Sequence, residues 1–177
     1  MSVPVSKRKK SQFEALTHMF CLRKSLTELL ICDFGFSKEK SEKSIERFVA
    51  YRVGAENIEK ITEIWRNKVE KFEEWFLEDE RKTIMTLLRE IEAEFTQGNS
   101  IYPSDTTART IELCERRKHF NNAIALCYVL RSELNYIVSI YPSDLNKFAP
   151  FVTDLDEQIA LIKGVRKADN KFFKAKA

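Results

Sequence analysis

Leu113, Phe120, Ile124, Cys127, Leu130, Leu134, Ile137 and Tyr141 follow one another at steps of seven, four, three, three, four, three and four. That rhythm belongs to a helix with one apolar face and cannot be laid along a strand, whose faces alternate at every residue. About thirty residues of it form a rod of about 45 Å at 1.5 Å per residue. Most of the stability of such a rod comes from packing its apolar face, so partners of similar length are required. Thr110 or a neighbour opens the segment. Pro142 ends it, because proline lacks the amide that would continue the ladder and disfavours helical geometry in the residue before it.

Candidate partner helices lie on both sides. Ser11 with Glu14 three residues on forms a capping box, in which each side chain satisfies a free amide of the first turn. From there Phe13, Leu16, Phe20, Leu26, Leu30 and Phe34 predict a helix over 12–34, with Gly35 as its left-handed cap. From about Glu73, the apolar face Phe76, Leu77, Ile84, Leu88, Ile91 and Phe95 predicts a second long helix that stops at Gln97-Gly98-Asn99. A last helix is expected from Asp144 or Pro150, buried through Phe148, Phe151, Val152, Leu155, Ile159 and Ile162. Between the first two, residues 36–72 are crowded with Lys and Glu and broken at Gly54. They read as one or two short helices inserted into the bundle.

The hexapeptide Ser-Ile-Tyr-Pro-Ser-Asp occurs at 100–105 and again at 139–144. Both copies fall at helix ends, where proline stops one helix and Ser or Asp can cap the next. The residues upstream of the two copies do not align, so the duplication reads as recurrent turn chemistry and not as an internal repeat.

With four Gly and four Pro in 177 residues, little material exists for hairpin turns, and an all-α single domain is expected. No basic run is followed by the apolar stretch of a secretory signal, and no segment approaches the roughly 18 apolar residues of a membrane span. A cytoplasmic, soluble chain is expected. Cys21, Cys32, Cys114 and Cys127 form no CxxC pair and are expected as core or near-core thiols, with disulfides the less favoured reading.

Catalysis finds no foothold. A di-iron bundle site requires Glu-x-x-His on two helices. His119 has Arg116 three residues before it, and His18 has Ala15. No glycine-rich phosphate loop, dinucleotide fingerprint or glycine-flanked nucleophilic serine occurs. The acids alternate with Lys and Arg, as on solvated helix faces. No cofactor, metal or small-molecule substrate is expected, and the chain is expected not to be an enzyme.

Charge is distributed unevenly. The net charge is +3, but residues 1–10 and 163–177 together carry +9, which leaves −6 on the body between them. Lys7, Arg8, Lys9 and Lys10 form one basic end. Arg116, Arg117 and Lys118 share one helical turn, and Lys163, Arg166, Lys167, Lys171 and Lys174 form a second cluster. Cations at this density can neutralise phosphates without reading base sequence. Phe172 and Phe173, between Lys171 and Lys174, could stack on unpaired bases or pack on the bundle. Two readings therefore stand together: an RNA-binding module, or a protein-only scaffold whose basic ends serve solubility.

Several segments resemble small bundle proteins encoded beside reverse transcriptases. They are Met1-Ser-Val-Pro with Ser6-Lys-Arg, Leu29-Leu30 to Asp33-Phe34-Gly35, and Glu115-Arg116-Arg117 with Ala123-Ile124. To these are added Tyr-Pro-Ser-Asp-Leu-Asn-Lys-Phe at 141–148 and Ile-Ala-Leu-Ile-Lys-Gly-Val-Arg-Lys-Ala-Asp-Asn-Lys at 159–171. The chain is similar to the accessory variability determinants of diversity-generating retroelements, with ribosomal intervening-sequence proteins as a wider circle. The resemblance implies an up-and-down four-helix bundle that forms a ring, typically a homopentamer, and binds a reverse transcriptase and its template RNA without catalysis of its own. Carried over by position, Arg116, Arg117, Lys163, Arg166, Lys167 and Lys171 would face nucleic acid. The acidic body departs from the strongly basic character of that family.

Overall fold

A computed structural model describes residues 12–31, 58–70, 74–103, 107–140 and 145–170. It is all-helical over these residues, with α1 (Gln12–Ile31), α2 (Ile58–Glu70), α3 (Glu74–Ser100), α4 (Arg109–Ile140) and α5 (Leu145–Ala168). Ser11, Gly35 and the first part of the 36–72 segment lie outside the described residues, so the expected caps of the first helix do too.

The long helix appears where its period places it. α4 buries Leu113, Phe120, Ala123, Ile124, Cys127, Leu130, Leu134 and Ile137, and its neighbours cover that stripe from two sides. The principal packing pairs are α3 with α4, α4 with α5, α5 with α1, and α1 with α3, so each of these four helices lies against two others. Ile84, Leu87, Leu88, Ile91 and Phe95 of α3 meet α4 in the core, where the Phe95 and Phe120 rings stand 5.5 Å apart. From α5 come Phe148, Leu155, Ile159, Leu161, Ile162 and Val165. Each large core residue of this kind contributes about 1.5–3 kcal/mol through its removal from water. By length and composition α4 is also apolar enough to cross a membrane, which its sequence pattern had not suggested.

α1 differs from expectation in the face it buries. Phe13, Leu16 and Phe20 are exposed, Phe13 to 80% and Phe20 to 63%, while Ala15, Met19, Leu22, Leu26 and Leu30 are buried. This helix is apolar on two faces, and periodicity alone cannot say which one turns inward. A buried polar anchor distinguishes them: Gln158 of α5, fully enclosed, donates from Nε2 to the Ala15 carbonyl at 3.2 Å and accepts from His18 Nδ1 at 2.7 Å. Satisfied at both ends, that amide can sit in the core and holds the Ala15 face of α1 against α5.

α3 ends at Ser100, directly after Gln97-Gly98-Asn99, where its stop is expected. Gly98 is also a point of close approach between α3 and α4. A Cβ placed on it would lie 2.8 Å from Phe120 Cε1 and 3.3 Å from His119 Cβ. Within the last turn of α3 the glycine thus also serves proximity. Helix ends do coincide with the repeated hexapeptide. Ser100 Oγ donates to the Gln97 carbonyl at 2.8 Å, and Ser139 Oγ to the Tyr136 carbonyl at 2.7 Å. The same residue of each copy thus bonds back to the carbonyl three residues before it in the last turns of the ending helix. α5 begins at Leu145 and carries Pro150 in its second turn.

Candidate nucleic-acid interface

The basic turn of α4 divides by register. Positions 113, 116 and 120 fall on the inward face, so Arg116 enters the core while Arg117 and Lys118 stay outside. Only 6% of Arg116 is exposed. Its Nε donates to Asp169 Oδ2 at 2.8 Å, and one terminal nitrogen donates to the carbonyls of Gly98 at 2.6 Å and Ile101 at 3.1 Å. The guanidinium also lies 4.7 Å from the centre of the Phe120 ring. Asp169 arrives by the same logic, one inward step of four residues beyond Val165 and just past the end of α5, and is itself buried. Arg116 thus ties the end of α3, the start of α4 and the end of α5, and a cation among the last carbonyls of α3 also suits the helix dipole. This corrects the expectation that Arg116 faces nucleic acid: it is buried, and its Nε and one terminal nitrogen are spent inside the fold.

The outward cations converge with those of α5. Arg117 donates to Asn170 Oδ1 at 2.8 Å, Arg166 to Asn121 Oδ1 at 2.5 Å, and Lys163 Nζ to the Tyr128 hydroxyl at 3.3 Å. Arg131 pairs with Asp156 at 2.8 Å. Ascending positions on α4 meet descending positions on α5, so the two helices run antiparallel and their seam carries one continuous row. The row from Arg117 to Arg131 spans about 21 Å of helix. Within it, Tyr128 is 41% exposed, with Arg131 Cζ 5.0 Å and Lys163 Nζ 5.7 Å from its ring centre. Lys118 and Lys167 adjoin the row in sequence. Lys7, Arg8, Lys9, Lys10, Lys171 and Lys174 lie outside the described residues, as do Phe172 and Phe173.

The opposite flank of α4 is acidic. Glu90 and Glu94 line an open groove of about 450 Å³ against Asn122, Ala125 and Leu126. Glu94 accepts from His119 Nδ1 at 2.8 Å and from Asn122 Nδ2 at 3.3 Å. Further along, the Glu80 carboxyl is pushed above its ordinary range by burial and by the like charges of Glu133 and Asp79. Negative charge of this kind repels a polyanion, and positive charge attracts one. Apart from Asp156, which pairs with Arg131 inside the row, the acids of this flank and the cations of the seam lie on different sides of α4.

Asn121, Tyr128, Arg131 and Asn170 were not anticipated. The α4 members were detectable in principle, because 117, 121, 128 and 131 step by four, seven and three along one helical stripe. Reading for local charge density found Arg117, Lys163 and Arg166 and passed over Arg131 and the uncharged side chains of the row. Among the described residues no group of three or more His, Cys, Asp or Glu could hold a metal ion. Cys127 is buried and its thiol is pushed up to about 12 by that burial, whereas Cys21 and Cys114 are exposed, which corrects the expectation that they lie in or near the core. Comparison of the chain with protein-family models, curated proteins and solved structures finds no match.

Proposed function

We propose that this chain is a non-enzymatic, cytoplasmic accessory protein that binds RNA along the α4/α5 seam and partners a reverse transcriptase. Its architecture is an up-and-down four-helix bundle of α1, α3, α4 and α5 in a single domain, with α2 belonging to an insertion between the first two long helices. The observation that carries the RNA reading is the row Arg117, Arg166, Lys163 and Arg131, aligned across two helices and separated from the acidic flank. Such a row matches the demands of backbone recognition, where positive side chains replace condensed counterions on phosphates. The reverse transcriptase partnership rests on the sequence resemblance.

Self-association, with a pentamer favoured, belongs to the same proposal. Phe13, Leu16 and Phe20 form an apolar stripe on α1 with Ile31 further along, all facing solvent in the single chain. Contiguous exposed apolar surface of this kind marks an interaction site. Copies of the basic row around a ring would add their phosphate contacts by avidity. The acidic α3/α4 groove favours a second reading, in which the chain is a protein-only scaffold that docks a basic partner segment there.

Light scattering coupled to size exclusion, with a structured RNA at low and high salt, separates the two. The RNA-binding accessory gives a defined oligomer whose mass shifts with RNA at low salt only. A monomer indifferent to RNA refutes it, and polymerase capture that survives high salt without RNA supports the scaffold.

A further inference from the structure

The α4/α5 row contains one element that phosphate recognition does not require, an exposed aromatic ring at its centre. We infer that Tyr128 is a stacking platform for an unpaired base, so that the row binds single-stranded nucleic acid in preference to duplex; this rests on the reading of the seam as an RNA interface.

Tyr128 lies between cations on its own row, with Lys163 bonded to its hydroxyl at 3.3 Å and Arg131 5.0 Å from its ring centre. Those contacts hold the ring in place while two fifths of the residue remains open to solvent. A ring fixed in this way loses little freedom when a base stacks on it. The neighbouring asparagines extend the site. Asn121 and Asn170 spend their carbonyl oxygens on Arg166 and Arg117, and their amide groups are the donors on the same side chains, suited to phosphate or base oxygens. Cations therefore lie over the ring, and a base that stacks on it takes the place of one of them, with amide donors along the same line, an arrangement that tracks a backbone while a base leaves the stack. A duplex keeps its bases paired and stacked, so the ring would meet only sugar and phosphate.

The test is fluorescence anisotropy at low salt with two labelled probes, a mixed-sequence single-stranded RNA of about 12 nucleotides, within the site size of such grooves, and the corresponding duplex. Wild-type protein, Tyr128→Ala, Tyr128→Phe and the double variant Lys163→Gln/Arg166→Gln are compared. Tyr128→Ala is expected to weaken single-strand binding about tenfold, the scale of one base–aromatic stack, and to leave duplex binding unchanged. Tyr128→Phe keeps most of the affinity because it keeps the ring. The inference is overturned if Tyr128→Ala affects neither probe, or both equally, while Lys163→Gln/Arg166→Gln still weakens binding; the seam then reads phosphates alone. If the wild-type protein binds neither probe, the RNA reading fails and the stacking site with it.

Discussion

Replacing Arg116 with methionine keeps much of the side-chain volume and removes every polar contact of the guanidinium. Asp169 is then left as a buried carboxylate without its ion pair, and the carbonyls of Gly98 and Ile101 lose a donor. Breaking a buried pair by deleting one partner costs about 3–5 kcal/mol, chiefly because the remaining charge stays desolvated. Water at the end of the bundle can relieve the carbonyls in part, so about 4 kcal/mol is the expected loss, a large share of a domain stability of about 5–15 kcal/mol. Asp169→Asn should cost less, about 2 kcal/mol, since Arg116 keeps its two carbonyl acceptors and can still bond a neutral amide oxygen. Arg116→Met with Asp169→Leu removes both charges together and should recover much of the stability. Urea unfolding followed by circular dichroism, with Asp169→Leu as the second single variant, supplies the four corners of this cycle. A loss below about 1 kcal/mol for Arg116→Met, or a coupling energy near zero, would refute the assignment of Arg116 to the fold.

Gly98→Ala should destabilise by about 1–3 kcal/mol despite the better helix propensity of alanine, because the new methyl meets the Phe120 ring edge at 2.8 Å; thermal melts check the sign. Under native conditions a thiol reagent mapped by mass spectrometry should label Cys21 and Cys114 and spare Cys127 until the protein unfolds. Burial pushes the Cys127 thiol up to about 12 from an ordinary value near 9, so unfolded chains lose that proton first as pH rises. This thiol's stabilising share is therefore complete below pH 9 and declines above it by up to about 1.4 kcal/mol per unit; Cys127→Ala should flatten the pH dependence of the urea midpoint between about 9 and 10. Phe13→Ser with Phe20→Ser should change unfolding free energy by under about 1 kcal/mol and reduce the mass seen by light scattering. A several-kcal/mol loss would instead mean that these rings are covered within one chain.

Much of the fold was legible because the period of α4 admits only one solution. Seven of the eight residues that set that period, Leu113 through Ile137, are buried, and the eighth, Tyr141, lies outside the described residues. α1 was harder, since its phenylalanines outweigh Ala15 and Met19 in any count of apolar size. Only the distant Gln158, 143 positions from Ala15, settles its orientation. The second role of Gly98 was hidden for a related reason: local propensity marks the end of α3 but carries no information about Phe120 pressing from another helix. In the candidate interface, charge density marked Arg117, Lys163 and Arg166 as surface cations but treated Arg116 as their equal. Register would have separated it, because 116 falls between Leu113 and Phe120 on the inward stripe. Tyr128 was missed because its partner Lys163 becomes a neighbour only through the antiparallel packing of α4 and α5.

The most direct test of the α4/α5 seam as an RNA interface is the salt dependence of single-stranded RNA binding, wild type against Arg117→Gln/Lys163→Gln/Arg166→Gln. Each phosphate-bound cation removed should lower the slope of log affinity against log salt by about 0.7, so removing three is expected to lower it by about 2 and to weaken binding at low salt. An unchanged slope with unchanged affinity would contradict the account and place any RNA binding elsewhere on the molecule.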